Sequence, residues 1–149
     1  MRTFANRAKL FNYRLKLWKV ADQLPTKTKF DGILVDAPCS GMGTWGRNPH
    51  ARWTTKPSDI TNLSAIQTSI LSKVSDSLKP GGKLIYSVCT LAAAETSAVT
   101  DTFEKTHPTL ERITLTIPGA ASGLSSRLEL RPEQFHSVGM FIAAWRRPS

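Results

Sequence analysis

Cysteine is nearly absent: the 149-residue chain has two. That is too few for a disulfide framework, and no Cys-x-x-Cys or Cys/His pair has metal-ligand spacing. Both thiols therefore read as free, and no metal is expected. Long apolar runs are missing too. None approaches the roughly 20 residues that span a bilayer, so no membrane partner is expected. The N-terminus, MRTFANRAKLF, is basic but lacks the apolar core and small-residue cleavage site of a secretory leader. A cytoplasmic protein is expected. Acids are in short supply, with 11 Asp and Glu against 20 Lys and Arg, a formal net charge of +9. Such an excess concentrates polyanions at the surface and favours nucleic acid as a partner over a merely soluble basic protein. The remaining composition, 40% hydrophobic and 21% charged, is ordinary for one globular domain with a real core. Internal repeats and low-complexity tracts are lacking.

Each cysteine follows an apolar run, in FDGILVDAPCSG (Phe30 to Gly41) and in KLIYSVCTL (Lys83 to Leu91). Ile33, Leu34 and Val35 read as a strand buried on both faces. Residues 37–57 read as loop, rich in Gly and Pro. Ser58 or Asp59 is placed to cap a helix running to about Leu78, with Ile60, Leu63, Ile66, Ile70, Leu71, Val74 and Leu78 on one broad face. Lys79-Pro80-Gly81-Gly82 stops it. KLIYSV is the next strand, a helix from about Ala92 to Lys105 follows, and His107-Pro108 ends that helix. ERITLTI and VGMFIAAWRR read as two further strands, with a turn-rich stretch over 118–137 between them. Residues 3–20 fit one long helix, or a short helix followed by a strand near Arg14 to Val20, and periodicity does not choose. This order predicts an α/β domain with a largely parallel sheet, whose ligands bind beyond the carboxyl ends of the strands. Cys39, Cys89, Asp36 and Ser40 all fall on that edge.

Gly41-Met42-Gly43-Thr44-Trp45-Gly46 spells a dinucleotide fingerprint by coincidence. It runs into RNPHARW rather than a helix start, and no acid follows at the right distance on a next strand.

FDGILVDAPCSG, then Gly46-Arg47-Asn48-Pro49 with Trp53, then Gln67, then LKPGGKLIYSVCTL with Glu95, resembles the Sun/Fmu-type (NOP2/Sun-like) RNA cytosine-5 methyltransferases. The likeness runs from about Val20 to Pro108. VGMFIAAWRR is similar to the family's last strand, although Val138-Gly139 stands where the family usually has Asp-Gly. The resemblance implies a Rossmann-like class I methyltransferase sheet and S-adenosylmethionine as cofactor. It implies that Cys89 is the nucleophile and that Cys39 helps release the product. Asp36 would sit at the junction of cofactor and base, and Asp22 would contact the adenosine end of the cofactor. The family's Gly-rich cofactor loop would lie upstream of residue 1. The expectation is therefore an α/β domain truncated at its N-terminus, with residues 1–149 a partial catalytic domain that binds cofactor weakly or not at all by itself.

The chemistry agrees with the motif. Carbon 5 of cytosine is a poor nucleophile until a thiolate adds at carbon 6. A soft sulfur that can both attack and leave suits that step. A helix starting near Ala92 would turn its positive end toward Cys89 and favour the thiolate. Asp36 could hydrogen-bond the exocyclic amine or ring nitrogen 3. Against this stand plainer readings. A cysteine in an α/β core is often a small hydrophobe, Asp36 suits a turn, and Asp22 suits a solvated loop. Arg47, Arg52 and Trp53 combine phosphate-binding charge with stacking surface, as single-stranded RNA sites do, or else belong to a loop pinned down by Trp45 and Trp53. His50, His107 and His136 have no partner spaced to form a triad. The expected partner is RNA, ribosomal RNA first and transfer RNA second, acting on a monomer. The alternative is an inactive fragment that only binds RNA. A thiol hydrolase or redox protein comes last, since it needs a histidine base or two thiols within disulfide reach.

Overall fold

The computed structural model describes residues 2–116, 125–135 and 138–149. Its sheet has five strands: β1 (Phe30–Asp36), β2 (Leu78–Val88), β3 (Glu111–Arg112), β4 (Arg127–Leu130) and β5 (Met140–Arg146). The order is β1-β2-β5-β3, with β4 also on β5. β1 and β2 are parallel, whereas β5 is antiparallel to β2, β3 and β4. The first four strands thus share one direction. The expected parallel sheet is corrected in its pairing: the one reversed strand sits in the middle, so most ladders are antiparallel. The expected strand ERITLTI shrinks to Glu111–Arg112 and a single bridge between Leu115 and Ser125.

Among the described residues five helices accompany the sheet: α1 (Arg2–Arg7), α2 (Pro49–Thr54), α3 (Pro57–Ser75), α4 (Ser97–Thr106) and α5 (Pro132–Phe135). No helix among the described residues is long and apolar enough to cross a membrane. The start of α3 is set by Pro57 at its first position and by the Asp59 carboxylate, which accepts the Lys56 N–H at 2.8 Å. It stops three residues before Leu78, which already belongs to β2 and pairs with Phe30. The Pro-Gly-Gly stretch is therefore not only a helix stop. It bulges out between two ladder positions, Leu78 opposite Phe30 and Lys83 opposite Gly32. Gly81 takes a φ of 74°, and a Cβ on Gly82 would lie 2.8 Å from the Lys79 carbonyl oxygen.

α3 and α4 cover one face of the sheet. Leu71, Leu84, Tyr86, Phe103 and Trp145 are fully buried there, and each such side chain contributes about 1.5–3 kcal/mol of transfer free energy. The Phe103 and Trp145 rings meet edge to face at 4.9 Å. His107, at the end of α4, stacks on Phe103 at 4.4 Å and so has a packing role. Leu34 points the other way and is 68% exposed. The expectation of a strand buried on both faces fails because β1 is the edge strand and nothing described covers Leu34.

Three more expectations need correction. Residues 37–57 are not all loop, for Met42–Thr44 form a 3-10 turn and α2 follows. The strand considered near Arg14 to Val20 does not form, because among the described residues those positions have no ladder partner. Within 118–137, β4 and α5 are regular, while 118–124 and 136–137, with His136, lie outside the described residues.

Far from the thiols, Glu104 accepts from Arg112, from Arg127 at 2.9 Å and from the Trp145 indole at 3.1 Å. Burial alone would raise the Glu104 carboxyl. The hydrogen bonds from Arg112 and Trp145 and the charge of Arg127 outweigh it and hold the group below its usual range. A depressed carboxylate contributes stability above its unfolded pKa, and that contribution is lost as pH falls through the folded value. Acid unfolding followed by circular dichroism should show stability falling from about pH 4.5 downward. Glu104→Gln should flatten that slope, and an unchanged slope would assign acid sensitivity elsewhere.

Candidate active site

The parallel pairing of β1 and β2 brings their carboxyl ends to one edge, with Asp36 opposite Ser87 and the Ala37 N–H on the Ser87 carbonyl at 3.1 Å. Cys39 follows β1 and Cys89 follows β2. Their sulfurs lie 3.3 Å apart, and both residues are half-buried. The spacing is a hydrogen-bond contact between free thiols. Burial pushes the Cys39 thiol up to about 12, and its bond with Cys89 pushes the same way against an N–H from Gly41. Burial thus favours the protonated form of Cys39, and either sulfur can donate in the contact.

Behind the thiols lies a polar network whose parts carried no role in the sequence reading. Glu95 is fully buried. Its Oε1 accepts the Ser40 N–H at 2.8 Å and the Gln67 Nε2–H at 3.1 Å, and its Oε2 accepts the Ser40 hydroxyl. Ser40 also reaches Thr90 Oγ1 at 3.1 Å, and Gln67 donates to the Pro38 carbonyl at 2.8 Å. Tyr86, its phenol raised by burial, donates to the Glu95 carbonyl at 2.7 Å. Ser40 and Thr90 are the residues just after the two cysteines, so the network ties the two thiol-bearing turns together. One signal for it was present. Gln67 interrupts the apolar face of α3 between Leu63 and Leu71, and a buried amide calls for partners.

A backbone staple closes the other side. The Gly43 N–H donates to the Cys89 carbonyl at 3.0 Å, and the Gly139 N–H donates to the Gly43 carbonyl at 3.0 Å. A Cβ on Gly43 would stand 1.9 Å from the Gly139 oxygen, so only glycine allows this approach. A cavity of about 400 Å³ opens beside the staple, lined by Gly43, Arg47, Leu91 and Val138 among others.

The predicted residues fall into three groups. Cys39, Cys89 and Asp36 share one edge, with Asp36 exposed and within 3.5 Å of the Ser87 hydroxyl. Arg47 rims the adjoining cavity, while Arg52 lies 5.7 Å over the Trp53 ring, which is 81% exposed. The two indoles do not pin the loop together: Trp45 is half-buried and Trp53 points out. Asp22 stands apart. Its carbonyl receives Lys73 at 3.0 Å, in the last turn of α3, beside the amino ends of β1 and β2. β1 alone separates it from Asp36 by about 20 Å of strand. The set proposed for S-adenosylmethionine, Asp22 with Asp36, therefore does not converge on one pocket within the described residues. The helix argument for Cys89 also fails, because residues 93–95 form a 3-10 turn and α4 begins only at Ser97. The dipole acts within about one turn.

The description of the 16S rRNA methyltransferases RsmB/F matches residues 7–146. The chain belongs to the RsmB/F family. A Bacillus subtilis relative named "Probable ribosomal RNA small subunit methyltransferase B" is 38% identical over 124 residues, 80% of this chain and 28% of its own length. The ribosomal RNA small subunit methyltransferase F of Serratia proteamaculans is 32% identical over 79% of this chain and 26% of its own length. The chain thus spans about a quarter of these relatives. Among solved structures, NSun6 from Pyrococcus horikoshii, crystallised with SFG, superposes over the whole chain and 38% of its own length, with a TM-score of 0.83 at 23% identity. A methyltransferase homologue from the same organism covers 80% of the chain and 40% of its own length at 31% identity, with a TM-score of 0.64. The fold is that of the Rossmann-like class I methyltransferases.

Proposed function

We propose that this chain is part of the catalytic domain of an RNA cytosine-5 methyltransferase, with small-subunit ribosomal RNA as its substrate. The observation that carries the reading is the pair of sulfurs 3.3 Å apart at the carboxyl ends of β1 and β2. S-adenosylmethionine is the methyl donor in this reading. Only Asp36 of the pair suggested for it lies on the reactive edge.

Cys89 adds through its sulfur to carbon 6 of cytosine, which makes carbon 5 nucleophilic. Asp36, exposed on the same edge, accepts a hydrogen bond from the exocyclic amine or a protonated ring nitrogen 3 as charge develops in the ring. After methylation a water molecule takes the carbon-5 proton, its C–H electrons re-form the 5,6 double bond, and the Cys89 sulfur leaves as thiolate. Cys39, whose thiol retains its proton, hydrogen-bonds the departing thiolate. Arg47, Arg52 and Trp53 supply charge and stacking surface for the flanking nucleotides.

The test is incubation with methyl-labelled S-adenosylmethionine and 16S ribosomal RNA, with nucleoside analysis of the product. Label at carbon 5 of cytosine is the expected result. Label on an exocyclic nitrogen would remove the need for a thiol and overturn the reading. Salt-sensitive RNA binding without any label, unaffected by changing either cysteine, would favour an RNA-binding module instead.

A further inference from the structure

The chain has two cysteines, and their sulfurs are already in contact. A disulfide has an S–S distance near 2.04 Å, so closing the gap requires a movement of about 1.3 Å. The residues after each cysteine are linked through Ser40 and Thr90 at 3.1 Å, and Glu95 holds Ser40 from behind. The two thiol-bearing turns are therefore held side by side, and each sulfur presents the other with a high effective concentration. Both are half-buried, which leaves room for a small oxidant.

We propose that Cys39 and Cys89 form a reversible disulfide when exposed to peroxide or to a small disulfide, and that this bond switches the site off. With hydrogen peroxide, one sulfur attacks an oxygen and becomes a sulfenic acid while water leaves. The second sulfur then attacks the sulfenic sulfur and a second water leaves. Two thiols and one peroxide give one disulfide and two waters. The contact is symmetric, so either sulfur can make the first attack and the other resolves it. With oxidised glutathione, the mixed disulfide on one cysteine is resolved by the other and two reduced glutathiones depart. The bond occupies both sulfurs, so neither addition to a base nor its reversal can proceed. The inhibitory consequence rests on the methyltransferase reading, whereas the disulfide itself does not.

The experiment treats the whole chain with hydrogen peroxide or oxidised glutathione, alkylates without reductant and weighs the protein. The expected result is loss of both alkylatable thiols with loss of two hydrogens, reversed by dithiothreitol. Cys39→Ser should instead stop at a sulfenic acid or a glutathione adduct on Cys89. Two thiols still fully alkylated after treatment, or each carrying its own sulfinic acid or glutathione, would overturn the proposal. The reduced and oxidised forms are then compared for covalent capture of RNA. Capture by the reduced form alone supports the switch, and equal capture by both forms refutes it. If even the reduced form captures no RNA, the catalytic reading fails while the mass result still decides the disulfide.

Discussion

Replacing Cys89 by Ala is expected to abolish covalent attachment to RNA, whereas replacing Cys39 by Ala is expected to leave RNA attached to Cys89. The two sulfurs are so close that geometry alone does not separate their roles. The motif that each cysteine belongs to assigns them, and burial, which raises the Cys39 thiol, agrees: a group that keeps its proton suits assisting departure rather than attack. Removing the attacking group of a covalent catalyst typically costs on the order of 10⁴-fold or more in rate. Removing the group that assists release slows a later step and lets the adduct accumulate. Denaturing gels of each variant with labelled RNA distinguish the cases. A chain that keeps its adduct without Cys89, or loses it without Cys39, would reverse the assignment.

Changing Glu95 to Ala should be the most damaging single substitution in the network. It strips the Ser40 N–H of its acceptor inside the protein and leaves Ser40 and Gln67 one partner short. A stranded buried donor costs about 1–3 kcal/mol, and the space left by the side chain adds to it. A loss of roughly 3 kcal/mol is expected in urea unfolding. Glu95→Gln keeps an acceptor for the Ser40 N–H and should recover most of that loss. The positioning role has a separate readout. In Glu95→Ala under conditions where it stays folded, the rate of oxidation to the Cys39–Cys89 disulfide should fall, since the two turns are no longer tied. A variant as stable as the native chain with an unchanged oxidation rate would show the network to be idle.

The parts of this molecule that could be read from its sequence are those fixed by local pattern. The short apolar runs ending in Asp36 and Val88 gave two strands, and the long periodic stretch between them gave α3. Because a parallel pair aligns its carboxyl ends, the meeting of Cys39, Cys89 and Asp36 followed from the strands alone. What depends on distant partners was not legible. The insertion of β5 between β2 and β3 is decided by which edges find mates. Leu78 reads as a last helical turn by period, yet pairs with Phe30. α2 hides in a stretch rich in Gly and Pro, its start helped by Pro49 itself. Asp22 was assigned by motif position, and the strand that would have carried it to the reactive edge does not form.

The central place of β5 also sets an order of events. As the chain is synthesised, both cysteine motifs emerge well before Met140, and β2 must wait with one flank bare until β5 arrives. Such long-range closure slows folding. The Gly43–Gly139 staple can lock only then, so the thiol pair matures after β5 has docked. A protease that clipped off β5 would silence the pair without touching any residue that faces it.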